Sequence, residues 1–541
     1  MDADSESISL LPILTKPLSN PTLASEQVSQ KELASTSIAP FTAKVLVLGF
    51  CAALLVPGVA QFVLFEKLGT LSFPPTRESL QALSLSLDKG SVLKQNIQPK
   101  LQELLTRFGG FGNEKVTIGR DGWLYYTPGL RYIFGQPFLD PAYLRAKAKA
   151  MIDKNVVASA HPNPLPAFQQ LAEDCRRLNI QLMLVPIPDK RMVAANLQNA
   201  DYDRFKQAVQ SYGAAVLPME QMMETADAPW YLRQDTHWTP RFMDHVARGI
   251  ADRLQASKHG GPSLYRLQSR SAGSFGDLVA MLKLPADQKL YSAETVQIEE
   301  IEPIAPVTAE AEILLLGDSF TNIYSSATLE WGRHAGLGEH LAYHLNAPVD
   351  VIAMNGGGAT ARQELVRAAR AGRLSKTRAL VYEFAMRDLY LEDWPPLPLG
   401  DVPRTPEKTK VVEPAKILLS EGKKPVPKPA DSEELTVTGT IIQMSRPINP
   451  NSAPYEDALL FAKLKLDRIE SGSYSKPDAI LVFLAMRNRI LQPGAHHSVG
   501  DIVRLKLIRL KSAPAAVRNM QRSDDTEDFD LVPYFVQEEL R

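Results

Sequence analysis

Cysteine is nearly missing from this chain: Cys51 and Cys175 are the two in 541 residues. Cys51 lies in an apolar run and Cys175 in a helix-like stretch, so no disulfide framework is implied and cysteine points to no compartment. An excess of charge is missing too. With 60 basic against 61 acidic residues, there is no electrostatic footprint for nucleic acid. Internal repeats are absent. Histidine is sparse at nine residues, which narrows the search for a catalytic base. Length is what the chain has in quantity, enough for at least two domains with sizeable apolar cores.

One hydrophobic run is long. From Val45 to Phe65 the chain reads VLVLGFCAALLVPGVAQFVLF, 21 residues without a charge, enough to cross a bilayer as a helix. A buried core helix or the apolar part of a signal peptide are the alternatives, but the polar tail before it is long for a signal peptide. A transmembrane anchor over 45–66 is therefore expected, behind a disordered tail over 1–44 rich in Ser, Thr and Pro. Flanking charges are few (Lys44, Glu66, Lys67), so the positive-inside rule does not set its orientation.

From Pro166 helix-like and strand-like segments alternate. FQQLAEDCRRLNI, RFKQAVQSYGA, RFMDHVARGIADRLQAS and ATARQELVRAARAG have helical spacing; QLMLVPIP, EILLLGDS, VDVIAMN and RALVYEFA are apolar strands bounded by turns. That alternation argues for an α/β domain, a parallel sheet covered on both faces, over 67–394. Nine prolines between Pro395 and Pro429, mixed with Lys and Glu, mark a semi-extended linker over 395–434. Beyond it LTVTGTIIQMS, LLFAKLKLDRIESG, DAILVFLAMRNR and GDIVRLKLIRL suggest a small all-β domain over 435–541, a partly open barrel, with PNSAPYEDALLF containing a surface loop near its start.

In a parallel α/β sheet, ligands sit beyond the carboxyl ends of the strands. The strand in LLLGDSF delivers Ser319 there. A serine hydroxyl needs a base and an orienting acid to become a nucleophile. One histidine has a context that supplies both: DTHWTP, with Asp235, His237 and Trp238. In extended or turn backbone a D-x-H pair puts both side chains on one side, so the carboxylate holds one imidazole nitrogen and the other faces outward. Taken alone, a GDS turn is as readily plain packing, and D-x-H as readily a metal-ligand pair. His340 and His344, spaced i, i+4 in GEHLAYHL, are ligand-like, but they share an amphipathic helix with Leu341 and Leu345, which favours a structural role and no metal site.

Taken together and in order, GRDGWLYY, VPIPDK, DTHWTP, LLLGDSF and VYEFAMRD resemble motifs of the alginate O-acetyltransferase group of the SGNH hydrolase-like fold, over about Gly119 to Leu389. The resemblance implies an SGNH-like three-layer α/β domain in which Ser319 takes an acetyl group, His237 is its base and Asp235 orients the imidazole. It implies no cofactor. Oxyanion donors would come from the Ser319 amide and from the Gly-rich loop Asn355, Gly356 and onward, unless that loop is a plain turn. Tyr324 lines the site or packs. Trp238 stacks on sugar or packs. Lys190 binds substrate or closes a salt bridge, and Glu383 with Arg387 forms a structural ion pair. Asp235 and His237 precede the serine, as in the acetyltransferase group and unlike most SGNH hydrolases.

The function implied is transfer of acetyl groups to an extracytoplasmic polysaccharide. The expected partners are the polysaccharide acceptor and a membrane-bound O-acyltransferase that supplies acetyl groups, with the anchor in the inner membrane and the catalytic domain in the periplasm. A carbohydrate acetyl-esterase with the same triad, and a non-catalytic polysaccharide-binding scaffold, are the alternatives. The disulfide-bearing carbohydrate module of some members has no counterpart here, because the cysteines for it are missing.

Overall fold

The structure, a computed structural model, describes residues 40–51, 97–153, 160–195, 197–254, 261–305, 310–402, 431–448, 450, 455–526 and 528–540. The chain divides into two compact units, Met1–Gln98 and Pro99–Arg541. In the first, residues 40–51 are helical. Among the described residues no helix is long and apolar enough to cross a membrane. Most of the anchor expected over 45–66, and the tail before it, lie outside the described residues.

After the helix Gln98–Gly109, the second unit forms a hairpin of β1 (Val116–Ile118) and β2 (Leu124–Tyr126). The central sheet then uses β3 (Gln181–Ile187) and β4 (Ala215–Val216). A long antiparallel excursion follows, β5 (Tyr265–Ser274) and β6 (Glu294–Pro303), before the chain returns to the sheet with β7 (Ile313–Gly317), β8 (Val349–Ala353) and β9 (Ala379–Ala385). The sheet order is β4-β3-β9-β7-β8, and every pairing in it is parallel.

Side chains on these strands divide with period two, which is why the strands read as unbroken apolar runs. Leu182, Leu184, Leu314, Leu316, Leu380, Tyr382 and Phe384 pack on one face against the helices Leu165–Arg177, Tyr202–Ser211 and Ala361–Arg370. Met183, Val185, Ile187, Ile313, Leu315, Val381 and Ala385 pack on the other against Pro240–Arg253 and Leu337–Leu345. The result is the three-layer α/β domain that the alternation of segments foretells. Residues 395–402, where the proline-rich stretch begins, lie against this domain: Leu399 and Val402 are buried in its core and the Leu399 amide donates to Asp174 Oδ2 at 2.9 Å. Residues 403–430 of the expected linker lie outside the described residues.

The C-terminal region adds β10 (Glu434–Met444), β11 (Ala458–Ser471), β12 (Asp478–Arg487), β13 (Ile490–Leu491), β14 (Ile502–Arg509), β15 (Gln521–Ser523) and β16 (Pro533–Glu539). Pairing of β11 with β12 closes the ring β10-β11-β12-β16-β14, so the barrel is closed where the sequence suggested a partly open one. Counted along the chain, the ring order is one-two-three-five-four, with the third and fifth strands parallel. That is the strand order of the OB-fold, whose ligand-binding surfaces include the loops between its first and second and its fourth and fifth strands.

Candidate active site

Strand β7 ends at Gly317, and Asp318 turns the chain into the short helix Ser319–Asn322 by accepting a hydrogen bond from the Phe320 amide at 2.8 Å. A Cβ on Gly317 would sit 2.2 Å from Thr321 Oγ1 and 2.7 Å from Glu383 Oε2, so the turn admits only glycine. Beneath it Glu383 is fully buried and accepts from the Asp318 amide at 3.0 Å and the Thr321 hydroxyl at 2.9 Å. Burial and the neighbouring Asp318 charge push its carboxyl well above the ordinary range, so it is a neutral acid. The ion pair expected between Glu383 and Arg387 does not form. Arg387 instead lies 3.8 Å from Asp189, and Glu383 supports the serine turn.

Asp235 and His237 lie on the loop that enters the helix Pro240–Arg253, which Thr239 caps and Pro240 opens. The loop is held from both sides. Tyr231 bridges to Trp238, the Leu232 amide donates to the His237 carbonyl at 3.0 Å, and Lys190 Nζ donates to the carbonyls of Leu232 and Arg233 at 2.8 and 3.1 Å.

This brings three side chains from the sequence reading into one line. His237 Nε2 lies 2.8 Å from Ser319 Oγ, and His237 Nδ1 lies 2.6 Å from Asp235 Oδ1. All three are almost fully buried. Asp235 also accepts from the His237 amide at 3.0 Å, the Asp277 amide at 3.0 Å and Trp331 Nε1 at 2.9 Å. Burial alone would raise the Asp235 carboxyl, but His237 and these donors outweigh it and hold it well below the usual carboxylate range. Burial likewise opposes the charged imidazole, yet the Asp235 charge and hydrogen bond leave His237 above its ordinary value. The arrangement is a hydroxyl with a base on it and a fixed anion behind the base.

Asp277 is a neighbour that the sequence reading missed. It comes from the excursion between β5 and β6, accepts from the Thr236 amide and hydroxyl at 2.7 Å each, and lies 3.9 Å from His237 Nδ1. Burial and the Asp235 charge push it up to about 6. No local signal marks it, because its proximity is created by the fold.

The cavity in front of Ser319 is about 70 Å³ and is lined by Tyr126, Thr236, His237, Gly356, Arg387 and Tyr455 among others. This is far below the ~300–1,000 Å³ of pockets that enclose a drug-sized ligand. It has room for a small acyl group but not a sugar ring. A larger cavity of about 370 Å³, lined by Cys175, Arg176 and Tyr212 among others, includes none of these three residues.

The remaining sequence candidates divide. Gly356 lines the cavity, in the left-handed region at φ 68°. Asn355 is buried behind it and uses its side-chain oxygen to accept from Asn322 at 3.0 Å. Trp238 is fully buried, packed edge-on to Phe320 and Phe242, so it presents no face to a sugar. Tyr324 is fully buried too, its hydroxyl donating to the Trp238 carbonyl at 2.6 Å. Lys190 packs over Trp123 with its amine committed to the loop carbonyls, and burial lowers that amine to about 8. These three brace the site from within. His340 and His344 both bond Asp244 Oδ1, at 2.7 and 2.6 Å, clamping two helices together.

The family model described as SGNH hydrolase-like domain, acetyltransferase AlgX, matches residues 116–386, just over half of the chain. The chain belongs to this family. Among solved structures it is similar to the O-acetyltransferase domain of Pseudomonas putida AlgJ, with 21% identity over 52% of this chain and 94% of that one and a TM-score of 0.39. It is also similar to Pseudomonas aeruginosa AlgX, with 14% identity over 74% of this chain and 92% of that one and a TM-score of 0.38. Bacillus cereus PatB1 is similar at 11% identity over 51% and 98%, with a TM-score of 0.29. No curated protein matches. The SGNH hydrolase-like family identity of the α/β domain thus agrees with the resemblance carried by its five ordered motifs.

Proposed function

We propose that the chain is an O-acetyltransferase that carries an acetyl group on Ser319 and passes it to a hydroxyl of an alginate-like exopolysaccharide. The observation that carries this reading is the continuous Ser319–His237–Asp235 line, at 2.8 and 2.6 Å. In the first half, His237 Nε2 takes the Ser319 proton while Oγ bonds the acetyl carbon and the donor's leaving group departs with a proton from the imidazolium. In the second half, His237 takes the proton of a sugar hydroxyl, the sugar oxygen bonds the acetyl carbon, and Ser319 leaves with the proton. Asp235 holds the imidazole in the tautomer that presents Nε2 as acceptor and stabilises its charged form. The negative charge of each tetrahedral state needs donors, for which the Ser319 and Gly356 amides are the candidates beside the cavity.

In this reading the acetyl donor is a membrane-bound O-acyltransferase, and the chain works in the periplasm, tied to the inner membrane by its N-terminal run. The test is to give full-length wild type and Ser319→Ala an activated acetyl ester with uronic-acid or neutral oligosaccharides and to weigh the products by mass spectrometry. Acetylated sugar from wild type alone supports the transferase. Free acetate without acetylated sugar, lost in the variant, replaces it with an esterase.

A further inference from the structure

Between the first and second barrel strands the described residues are 445–448, 450 and 455–457, and the last of these stretches borders the catalytic cavity. Tyr455 of that stretch lines the same small cavity as Ser319 and His237, which places its phenol beside the Ser319 hydroxyl. We infer that Tyr455 is a catalytic residue, so that the active centre is composite: the α/β domain supplies nucleophile, base and acid, and the barrel supplies a hydroxyl donor facing the reacting oxygen. This rests on the acyl-serine reading above.

Three observations carry it. First, the other partners leave Ser319 able to accept and Tyr455 able to donate. Ser319 donates its proton to His237 Nε2 at 2.8 Å, which leaves the oxygen's lone pairs for Tyr455. Burial pushes the Tyr455 phenol far above its ordinary value, so it keeps its proton and donates.

Second, the barrel is anchored to the α/β domain beside the cavity. The segment between the fourth and fifth barrel strands docks on the helix Ala361–Arg370: Arg367 pairs with Asp524, both nearly buried, and Arg522 pairs with Glu364. The Asn355 amide, next to Gly356 of the cavity, donates to the Asn519 carbonyl at 3.2 Å, and Phe529 is buried in the α/β core. Asp525 of this segment grips Arg446 at the start of the Tyr455 loop, accepting from its amide and Nε at 2.9 Å each. The two loops are thus joined to each other and to the α/β domain, and they are the pair with which OB-type barrels meet their ligands.

Third, the location suits transition-state stabilisation. The oxyanion of a tetrahedral intermediate is bonded to the same carbon as Oγ. A phenol that shares so small a cavity with Oγ stands beside the place where charge collects. The small cavity follows from the same closure, because Tyr455 forms part of its wall.

The experiment uses the full chain, wild type beside Tyr455→Phe, with Ser319→Ala as blank. Acylation is followed as the burst from p-nitrophenyl acetate and, independently, as the mass gain at Ser319 with a sulfonyl fluoride. Thermal melting checks that the Phe variant folds as wild type does. Loss of the donor predicts an acylation rate lower by about 10²-fold with KM little changed, on the scale of removing one oxyanion donor. Wild-type rates in Tyr455→Phe overturn the inference alone. A matched fall in melting temperature and rise in KM, with the maximal rate kept, makes Tyr455 a packing residue and overturns it too. A wild-type chain that takes no label on Ser319 overturns the acyl-serine reading, and the inference with it.

Discussion

Trp331 Nε1 donates to Asp235 Oδ2 at 2.9 Å, from a ring that is itself fully buried. The indole lies in the loop between Ser319 and the helix Leu337–Leu345, so the segment after Ser319 reaches back to hold the carboxylate behind His237. Together with the Asp277 and His237 amides, it fixes the carboxylate in one orientation.

Trp331→Phe keeps the ring's apolar packing and removes that one bond. Hydrogen bonds to charged groups contribute about 1.5–3 kcal/mol. The expected outcome is a stability loss of about 2 kcal/mol in urea unfolding and acylation of Ser319 slower by about tenfold. Unchanged acylation in a destabilised variant would mean that the indole serves packing alone.

The charges around His237 set a pH dependence. In the proposed reaction its neutral form is the base, and the Asp235 carboxylate holds its ionisation above the ordinary ~6.5. Activity is therefore lost as pH falls through that raised value, and kcat/KM rises with pH along a limb whose midpoint lies above ~6.5. Asp235→Asn removes the charge, so the midpoint drops and turnover falls by about 10⁴-fold, as for other triads with a neutralised acid. Asp277→Asn removes a second, more distant anion and shifts the limb down by less. Profiles of the acylation burst for the three proteins check the order of the midpoints.

Much of this site was legible because it is local. LLLGDSF announces a buried strand ending at a serine, and the two-residue spacing of Asp235 and His237 encodes their pairing in any extended loop. The parallel sheet was legible for a related reason: β3, β7 and β9 are buried on both faces, so their apolar runs are unbroken. The hairpin β5–β6 was not, since β5 is exposed on both sides along most of its length and its sequence is polar. Asp277 was lost with it. Tyr455 was hidden by distance, placed by docking of a second domain rather than by a pattern around it. Trp238 shows the opposite failure. Its place beside the base was legible, but the bridge to Tyr231 turns its ring inward, away from any sugar.

Glu383 offers a test of a buried neutral acid. Because its folded ionisation is raised, the folded chain keeps a proton that the unfolded chain releases above about 4.5, so folding loses stability as pH rises through that value. Glu383→Gln removes the penalty and keeps an acceptor for Asp318 and Thr321, so it should be at least as stable as wild type at neutral pH. Glu383→Ala strands both donors and should cost about 1–3 kcal/mol for each. Urea unfolding at pH 5 and pH 8 checks the signs. A Gln variant much weaker than wild type at pH 8 would mean that the carboxyl is ionised there.

Asp244, finally, distinguishes a helix clamp from a metal centre. It accepts from His340 and His344 through one oxygen, and Arg248 lies 3.4 Å from its other oxygen. Burial would raise the carboxyl, but the two imidazoles outweigh it and hold it well below the usual range. Its stabilising effect is therefore present above ~3.9 and lost as pH falls below that value. Arg248 adds positive charge beside the cluster, which disfavours a cation there and argues for the clamp. Asp244→Ala should cost about 2–3 kcal/mol at pH 7, since it leaves the buried His340 without its partner. The variant should acylate Ser319 at the wild-type rate once folded. Added zinc or EDTA should leave the melting temperature of wild type where it was; a rise with zinc that Asp244→Ala abolishes would make the cluster a metal site instead.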